Sequence, residues 1–264
     1  MKEIVFLGGG RITNAILAGL RLAKDSHTFV VHDRHPKKLR ELNRLYKVDV
    51  EEKLQRAVER ADLLVIAVRP SSVGDLLRSV VPPKRSVTAV SLAAGIPISN
   101  LRKNLGRPVR WARAIPTPGC RVRLGLTSLT FDRNVPKSQK AEIREIFSQI
   151  STVLEIPERK FDLFTTTSSP SHGYHAMSAL IEAATSLGLD RKIATTVSAH
   201  ALADAITTWR MGHDSLDDLL HEAATPGGIA AATMEAMNRA GYHRAIVRGI
   251  KAGLGRAAKN AKLR

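Results

Sequence analysis

Gly8 and Gly10 directly follow the apolar run Lys2–Leu7, and a helical pattern opens a few residues later. A glycine turn between a strand and a helix lets backbone approach a pyrophosphate, and the helix N-terminus adds unpaired N–H groups and a positive dipole end. The G-x-G-x-x-G/A spacing for dinucleotides is met at Gly8 and Gly10, while its third position is Thr13. That residue normally lets helix and strand pack closely, so the expected consequence is a first helix standing slightly further out. Arg11 and Ile12 fall on the turn. The next strand, His27–His32, ends at Asp33-Arg34. An acid there suits the ribose diol of NAD, whereas Arg34 with Lys37 and Lys38 suits the 2′-phosphate of NADP. NADP is the expected cofactor and NAD the alternative.

Other side chains invite chemistry. His172 and His175 share a face if their segment is helical, and one could donate a proton to an imine; exposed histidines at a polar helix start are the plainer alternative. They lack a third partner spaced to complete a metal site, so no metal is expected. Ser198, His200 and Asp204 are spaced so that they do not all converge, and they read as parts of a structural helix. Trp111 and Trp209 read as packing residues.

The elements that must hold these groups alternate. Strands are expected at Lys2–Leu7, His27–His32, Val48–Val50, Asp62–Val68, Ser86–Leu92, Val109–Ala114, Leu124–Phe131 and Val153–Ile156. Helices are expected at Pro36–Tyr46, Glu51–Arg60, Ser71–Val80, Ile98–Leu105 and Lys137–Ile150. Apolar strands alternating with helices imply an α/β, Rossmann-type parallel sheet covered on both faces. Beyond Pro157 only helices are expected, with Arg191–Met211 the longest and Arg244–Lys259 the last. The predicted organisation is therefore a dinucleotide-binding domain over 1–157 and an all-α substrate and dimerisation domain over 158–264.

The chain has 264 residues, 44% of them hydrophobic and 25% charged, as in an ordinary globular protein. It lacks a long apolar run for a membrane span, and Met1-Lys2-Glu3 leads straight into a strand, so neither membrane nor leader is expected. Cys120 is the only cysteine, which suits a reducing cytoplasm. The net charge of +17 raises a nucleic-acid partner. Basic residues scattered through helices, and the lack of a nucleic-acid motif, argue against one. A C-terminal stretch from Ala236 carries only basic charges, through Arg239, Arg244, Arg248 and others to Arg264. Its last few residues are expected to form a solvated, frayed tail.

Four segments in order carry a family resemblance. Phe6–Ile12 resembles an F-I-G-x-G-N-M start, and Ala67-Val68-Arg69-Pro70 is similar to A-V-K-P. Ser91–Ile96, with Ala93-Ala94-Gly95, is similar to S-I-A-A-G-I, and Thr225-Pro226-Gly227-Gly228 to an S/T-S-P-G-G helix entry. Together they resemble the pyrroline-5-carboxylate reductase family along nearly the whole chain. The resemblance implies nicotinamide-dependent reduction of a cyclic imino acid in proline biosynthesis, with ring and imine held about 3–3.5 Å apart. It implies cofactor contacts at Gly8, Gly10, Arg11, Ile12, Asp33, Arg34, Ala67–Pro70 and Ala93–Gly95. It implies substrate-carboxylate binding by Thr225, Gly227 and Gly228, and a homodimer or larger homo-oligomer.

Three segments depart from the family pattern. Ala230 stands where the family has a hydroxyl near the imine nitrogen, with Thr233 about one helical turn on. Pro170–Ala176, with His172 and His175, replaces S-G-S-G-P-A-Y. Pro116-Thr117-Pro118-Gly119 replaces P-N-T-P. His172, His175 and Thr225 are thus the candidate catalytic groups, and Ala230 joins the substrate set. The alternatives are a dinucleotide-binding paralogue with another imine or keto substrate, and a sensor or partner subunit without catalysis.

Overall fold

The computed structural model describes residues 2–262. The chain forms two compact units. One runs to Ser168 and resumes at Ile250; the other is Ser169–Gly249. The first unit therefore extends past the composition change at Pro157 and takes in the end of the chain as well.

The first unit is built on one eight-stranded sheet. Its strands are β1 (Glu3–Leu7), β2 (Thr28–His32), β3 (Asp49–Val50), β4 (Leu63–Ile66), β5 (Val87–Ser91), β6 (Val109–Pro116), β7 (Gly125–Phe131) and β8 (Ser151–Glu155), in the order β3-β2-β1-β4-β5-β6-β7-β8. Helices α1 (Arg11–Leu22), α2 (Pro36–Tyr46), α3 (Leu54–Arg60), α4 (Pro70–Ser79), α5 (Ile98–Asn104) and α6 (Lys137–Ser148) are interspersed. Alternate residues of β1 supply two separate cores. Ile4 and Phe6 join Leu17, Leu20 and Phe29, whereas Val5 and Leu7 join Leu64, Ile66 and Leu77. Apolar side chains on both faces are what a sheet buried on both sides requires.

One expectation is corrected. The sheet is not parallel throughout, because β6 and β7 pair antiparallel. Only a 3-10 turn, Pro118–Val122, joins them, and a connection that short cannot make the crossover a parallel pair needs. Thr117 closes this hairpin: its N–H donates to Leu126 O at 2.9 Å, and its Oγ1 accepts from Leu126 N at 3.0 Å.

Helix α7 (Glu158–Thr167) completes the first unit with a buried ionic clamp. The Arg113 side chain, from β6, is 1% exposed and pairs with Glu158 at 3.3 Å and Asp162 at 3.0 Å. Its guanidinium also lies 4.5 Å from the centre of the Phe161 ring. Trp111 on the same strand is fully buried and donates to Leu105 O at 2.8 Å, as a packing residue should.

The second unit holds α8 (Ser171–Ser186), α9 (Arg191–Met211), α10 (Leu216–Ala223), α11 (Ile229–Arg239) and the start of α12 (Tyr242–Asn260). Helices α8 and α9 pack together, burying Ala194 and Ser198. Much apolar surface remains uncovered, and Ile229, Leu187 and Met211 are almost fully exposed. Trp209 is 48% exposed, so the packing role expected for it is not met within the single chain. Helices this small-sided bury too little against one another to cover it. His200 and Asp204 form an exposed i, i+4 pair at 3.1 Å, and Ser198, buried between helices, is no part of it.

Candidate active site

The expected cofactor residues come together along one edge of the sheet. Strands β2, β1, β4 and β5 are consecutive neighbours and all parallel, so their C-terminal ends form a row. The ladder steps on past the strands: Gly8 N donates to His32 O at 2.8 Å, Ala67 N to Leu7 O at 2.8 Å, and Leu92 N to Ile66 O at 2.9 Å. Asp33-Arg34, Gly8–Ile12, Ala67–Pro70 and Ala93–Gly95 follow these four strand ends in that spatial order. Chain order reverses between β1 and β4, and at such a switch point an open α/β sheet binds its ligand.

The turn after β1 is shaped for close approach. Gly8 has φ of +117°, and a Cβ there would stand 2.6 Å from Ala67 O. Gly10 caps α1 in extended conformation, and a Cβ on it would meet nothing within 4 Å. The first intrahelical bond of α1 is Asn14 N to Gly10 O, at 3.0 Å. The preceding N–H groups, from Arg11 to Thr13, lack intrahelical acceptors and can face an anion. An open cradle over a helix N-terminus is what a dinucleotide pyrophosphate fits.

Thr13 sits where the helix meets the glycine turn. It is fully buried, and its Oγ1 donates to Gly8 O at 2.6 Å. The hydroxyl thus ties the helix to the turn where the usual small residue would only pack.

Asp33 points into the turn. One carboxylate oxygen accepts from Gly9 N at 2.9 Å and the other from His35 N at 2.9 Å, with the His35 ring at the same distance and Lys38 Nζ 3.4 Å from the first. Burial pushes this carboxyl up. The Gly9 and His35 bonds and the Lys38 charge outweigh it and hold the group below the usual carboxylate range. Arg34 and Lys37 are exposed beside it. Gly9 is a participant that sequence reasoning passed over, although a third consecutive glycine was its signal.

The remaining candidates belong to the second unit. His172 and His175 occupy the first turns of α8 and are both exposed. Gly227 has φ of +77° and Gly228 caps α11, with Gly228 N donating to Thr225 O at 2.9 Å. Thr225 Oγ1 donates to Glu222 O at 3.1 Å. The donors left at this turn are the first N–H groups of α11, from Ile229 to Ala231, before Ala232 N bonds Gly228 O. Ala230 adds no hydroxyl, and Thr233 spends its own on Ile229 O at 2.9 Å.

Other chemistries find little support. Burial pushes the Cys120 thiol up to about 11, so it is no nucleophile at neutral pH. Among the described residues no helix is long and apolar enough to cross a membrane, and no group of three His, Cys, Asp or Glu residues could hold a metal.

Known proteins fit this arrangement. Residues 158–260 match the family model for pyrroline-5-carboxylate reductase dimerisation, and residues 3–95 match one described as NADP oxidoreductase, coenzyme F420-dependent. The pyrroline-5-carboxylate reductase of Mycobacterium leprae is 31% identical over 280 residues, covering 96% of this chain and 94% of the relative. The chain belongs to the pyrroline-5-carboxylate reductase family. The Mycobacterium tuberculosis pyrroline-5-carboxylate reductase is 29% identical, with 97% and 96% of the two chains covered. A pyrroline carboxylate reductase of Plasmodium falciparum, crystallised with NADP bound, has the same fold. It superposes with a TM-score of 0.89 at 19% identity, covering 99% of this chain and 98% of that one. Membership of the pyrroline-5-carboxylate reductase family makes this chain an NAD(P)-dependent oxidoreductase.

Proposed function

We propose that this protein reduces pyrroline-5-carboxylate, a cyclic imino acid, to proline with NADPH, as a homodimer or larger homo-oligomer in a reducing cytoplasm. The observation that carries this is one chain holding both the row of four strand ends and, within the matched dimerisation segment, the Thr225–Gly228 turn at the head of α11. Near-full-length similarity to named reductases supports it. Proline biosynthesis is the pathway this reaction serves.

A dihydronicotinamide held at the strand ends would supply the hydride for reduction of the C=N carbon. The protein's residues do the rest. Gly8, Gly10, Arg11 and Ile12 hold the pyrophosphate, and Ala67–Pro70 and Ala93–Gly95 line the sheet edge beyond it. Asp33 braces the glycine turn and leaves Arg34 to take the 2′-phosphate, which favours NADP over NAD. The substrate carboxylate sits on the N–H groups around Gly228 and Ala230, with Gly227 giving the turn its shape. Thr225 shapes the turn as well, since its hydroxyl proton is committed to Glu222 O. His172 or His175 delivers the proton that the imine nitrogen takes up. Uncovered apolar side chains of the second unit, Ile229 and Met211 among them, supply the surface between copies.

A second reading keeps the cofactor and changes the substrate to another imine or keto acid. Ala230, and the Thr233 hydroxyl bonded to its own helix, favour it.

The test is oxidation of NADPH by the purified protein with pyrroline-5-carboxylate, beside direct NADPH titration. Turnover is expected, with a Gly8→Ala variant losing both binding and turnover. NADPH binding without turnover would move the function to the second reading or to a sensor. Failure to bind NADPH or NADH would end both catalytic readings.

A further inference from the structure

The end of α12 closes on the loop after β5. The second half of α12 belongs to the first unit, and its middle passes α7 closely enough that a Cβ on Gly253 would stand 2.7 Å from Thr166 Cγ2. Its last turn then lies on Gly95. That glycine has φ of +77°, and a Cβ on it would meet Ala257 O at 2.8 Å and Asn260 Cβ at 2.9 Å. Two half-buried amides fasten the contact from opposite sides. Asn260 Nδ2 donates to Ala94 O at 3.3 Å, and Asn100 Nδ2, from α5, donates to Ala261 O at 2.5 Å. The loop's other end is held independently, by Ile98 N donating to Glu158 Oε1 at 2.7 Å.

We propose that Asn260 and Asn100 are positioning residues for the nicotinamide cofactor, fastening the last turn of α12 over the Ala93–Gly95 loop so that this turn is part of the cofactor site. This rests on the proposed binding of NADPH along that loop. The physical reason is peptide planarity. In a trans peptide the C=O and the following N–H point in opposite directions, so fixing Ala94 O toward Asn260 turns the Gly95 N–H away from α12. A loop fixed at both ends meets its ligand without an ordering cost; released at one end, it must be ordered on binding. Neither amide needs to touch the cofactor for this.

The test uses the full-length protein with Asn260→Asp, which keeps the shape and removes the donor, and Asn100→Ala, which cuts the second tie. NADPH affinity is read by fluorescence titration, KM for NADPH and for the imine by steady-state kinetics, and folding by Tm and oligomeric state. Each variant is expected to raise the Kd and KM for NADPH about 5- to 10-fold, the range for one lost hydrogen bond, while KM for the imine and oligomeric state stay put. Should Asn260→Asp not fold, Asn100→Ala decides alone. If the wild type binds NADPH and the folded variants bind it equally well, the proposal is overturned. It is overturned too if Tm and kcat fall while both KM values rise together, since that marks a purely structural clamp. Absence of NADPH binding in the wild type would instead overturn the proposed function along with it.

Discussion

The carboxylate of Asp33 accepts a hydrogen bond from the backbone N–H of Gly9 at 2.9 Å, so the acid that closes β2 and the turn that follows β1 form one unit. An acid so engaged braces the turn from the neighbouring strand end.

That bond has a pH signature. The Asp33 carboxyl is held below its ordinary value, so its stabilising effect is present above about pH 3.9, where the unfolded chain is also ionised. It is lost as the pH falls through the lowered folded-state value. Asp33→Asn should therefore lower Tm most above pH 5, by an amount corresponding to about 1–3 kcal/mol, and progressively less toward pH 3. Asp25 has the same direction of shift, against burial and through bonds from His27 and Gln149, and cancels in the comparison. Thermal melts of both proteins from pH 3 to 7 check this; a deficit independent of pH would sink it.

Arg34 should discriminate between the two nicotinamide cofactors. Arg34→Ala is expected to weaken NADPH about 10-fold or more while leaving NADH nearly unchanged, because only one carries the 2′-phosphate. Parallel fluorescence titrations measure the ratio. Equal losses for both would place Arg34 outside the phosphate site.

Ala230 offers a gain-of-function test. Ala230→Thr restores a hydroxyl in the first turn of α11 and should raise kcat/KM for pyrroline-5-carboxylate about 10-fold, the worth of one added hydrogen bond. Affinity for NADPH should not move. A fall in kcat/KM would mean that the substrate seats itself differently from the family pattern.

The Arg113 clamp should respond asymmetrically. Arg113→Met removes the buried charge and leaves Glu158 and Asp162, each about one-third exposed, to be hydrated. Glu158→Gln with Asp162→Asn instead leaves a buried guanidinium without a counter-ion and should cost about 3–5 kcal/mol. Urea unfolding of both variants gives the comparison. A larger loss for Arg113→Met would show that packing on Phe161 outweighs the charge.

Much of this was legible in the residues. The alternation of apolar strands and helices up to Ile156 places the sheet edge, and the glycine turn, Asp33, Ala67–Pro70 and Ala93–Gly95 fall along it. The antiparallel β6–β7 pair was missed because Leu124–Phe131 reads as a buried strand in either direction; only the short link through Pro118–Val122 betrays it. The orientation of Asp33 was open, since the same acid can face a ribose or its own loop. The Asp33-x-His35-Pro36 pattern, an acid two residues before its N–H donor, was its local signal. Arg113 was not singled out, and its signal is a charge within the otherwise apolar end of β6. The last helix ends at Asn260, one residue past the expected Lys259, and its end is bonded to Ala94 and Asn100, a contact between residues too distant for any periodicity to reveal; of the tail expected beyond it, Leu263 and Arg264 lie outside the described residues.

The Asn260–Ala94 bond also bears on how the protein is made. Its partners are 166 residues apart, so at ribosomal rates the loop after β5 waits on the order of 10–30 s for its brace to be synthesised. The sheet edge can form early, from residues already translated, but the loop acquires its final setting only when the last turn of α12 emerges. A prematurely terminated product that lacks that turn would retain the glycine cradle while missing the latch. On the proposal above, the ability to hold cofactor tightly thus depends on a segment translated long after the loop it sets.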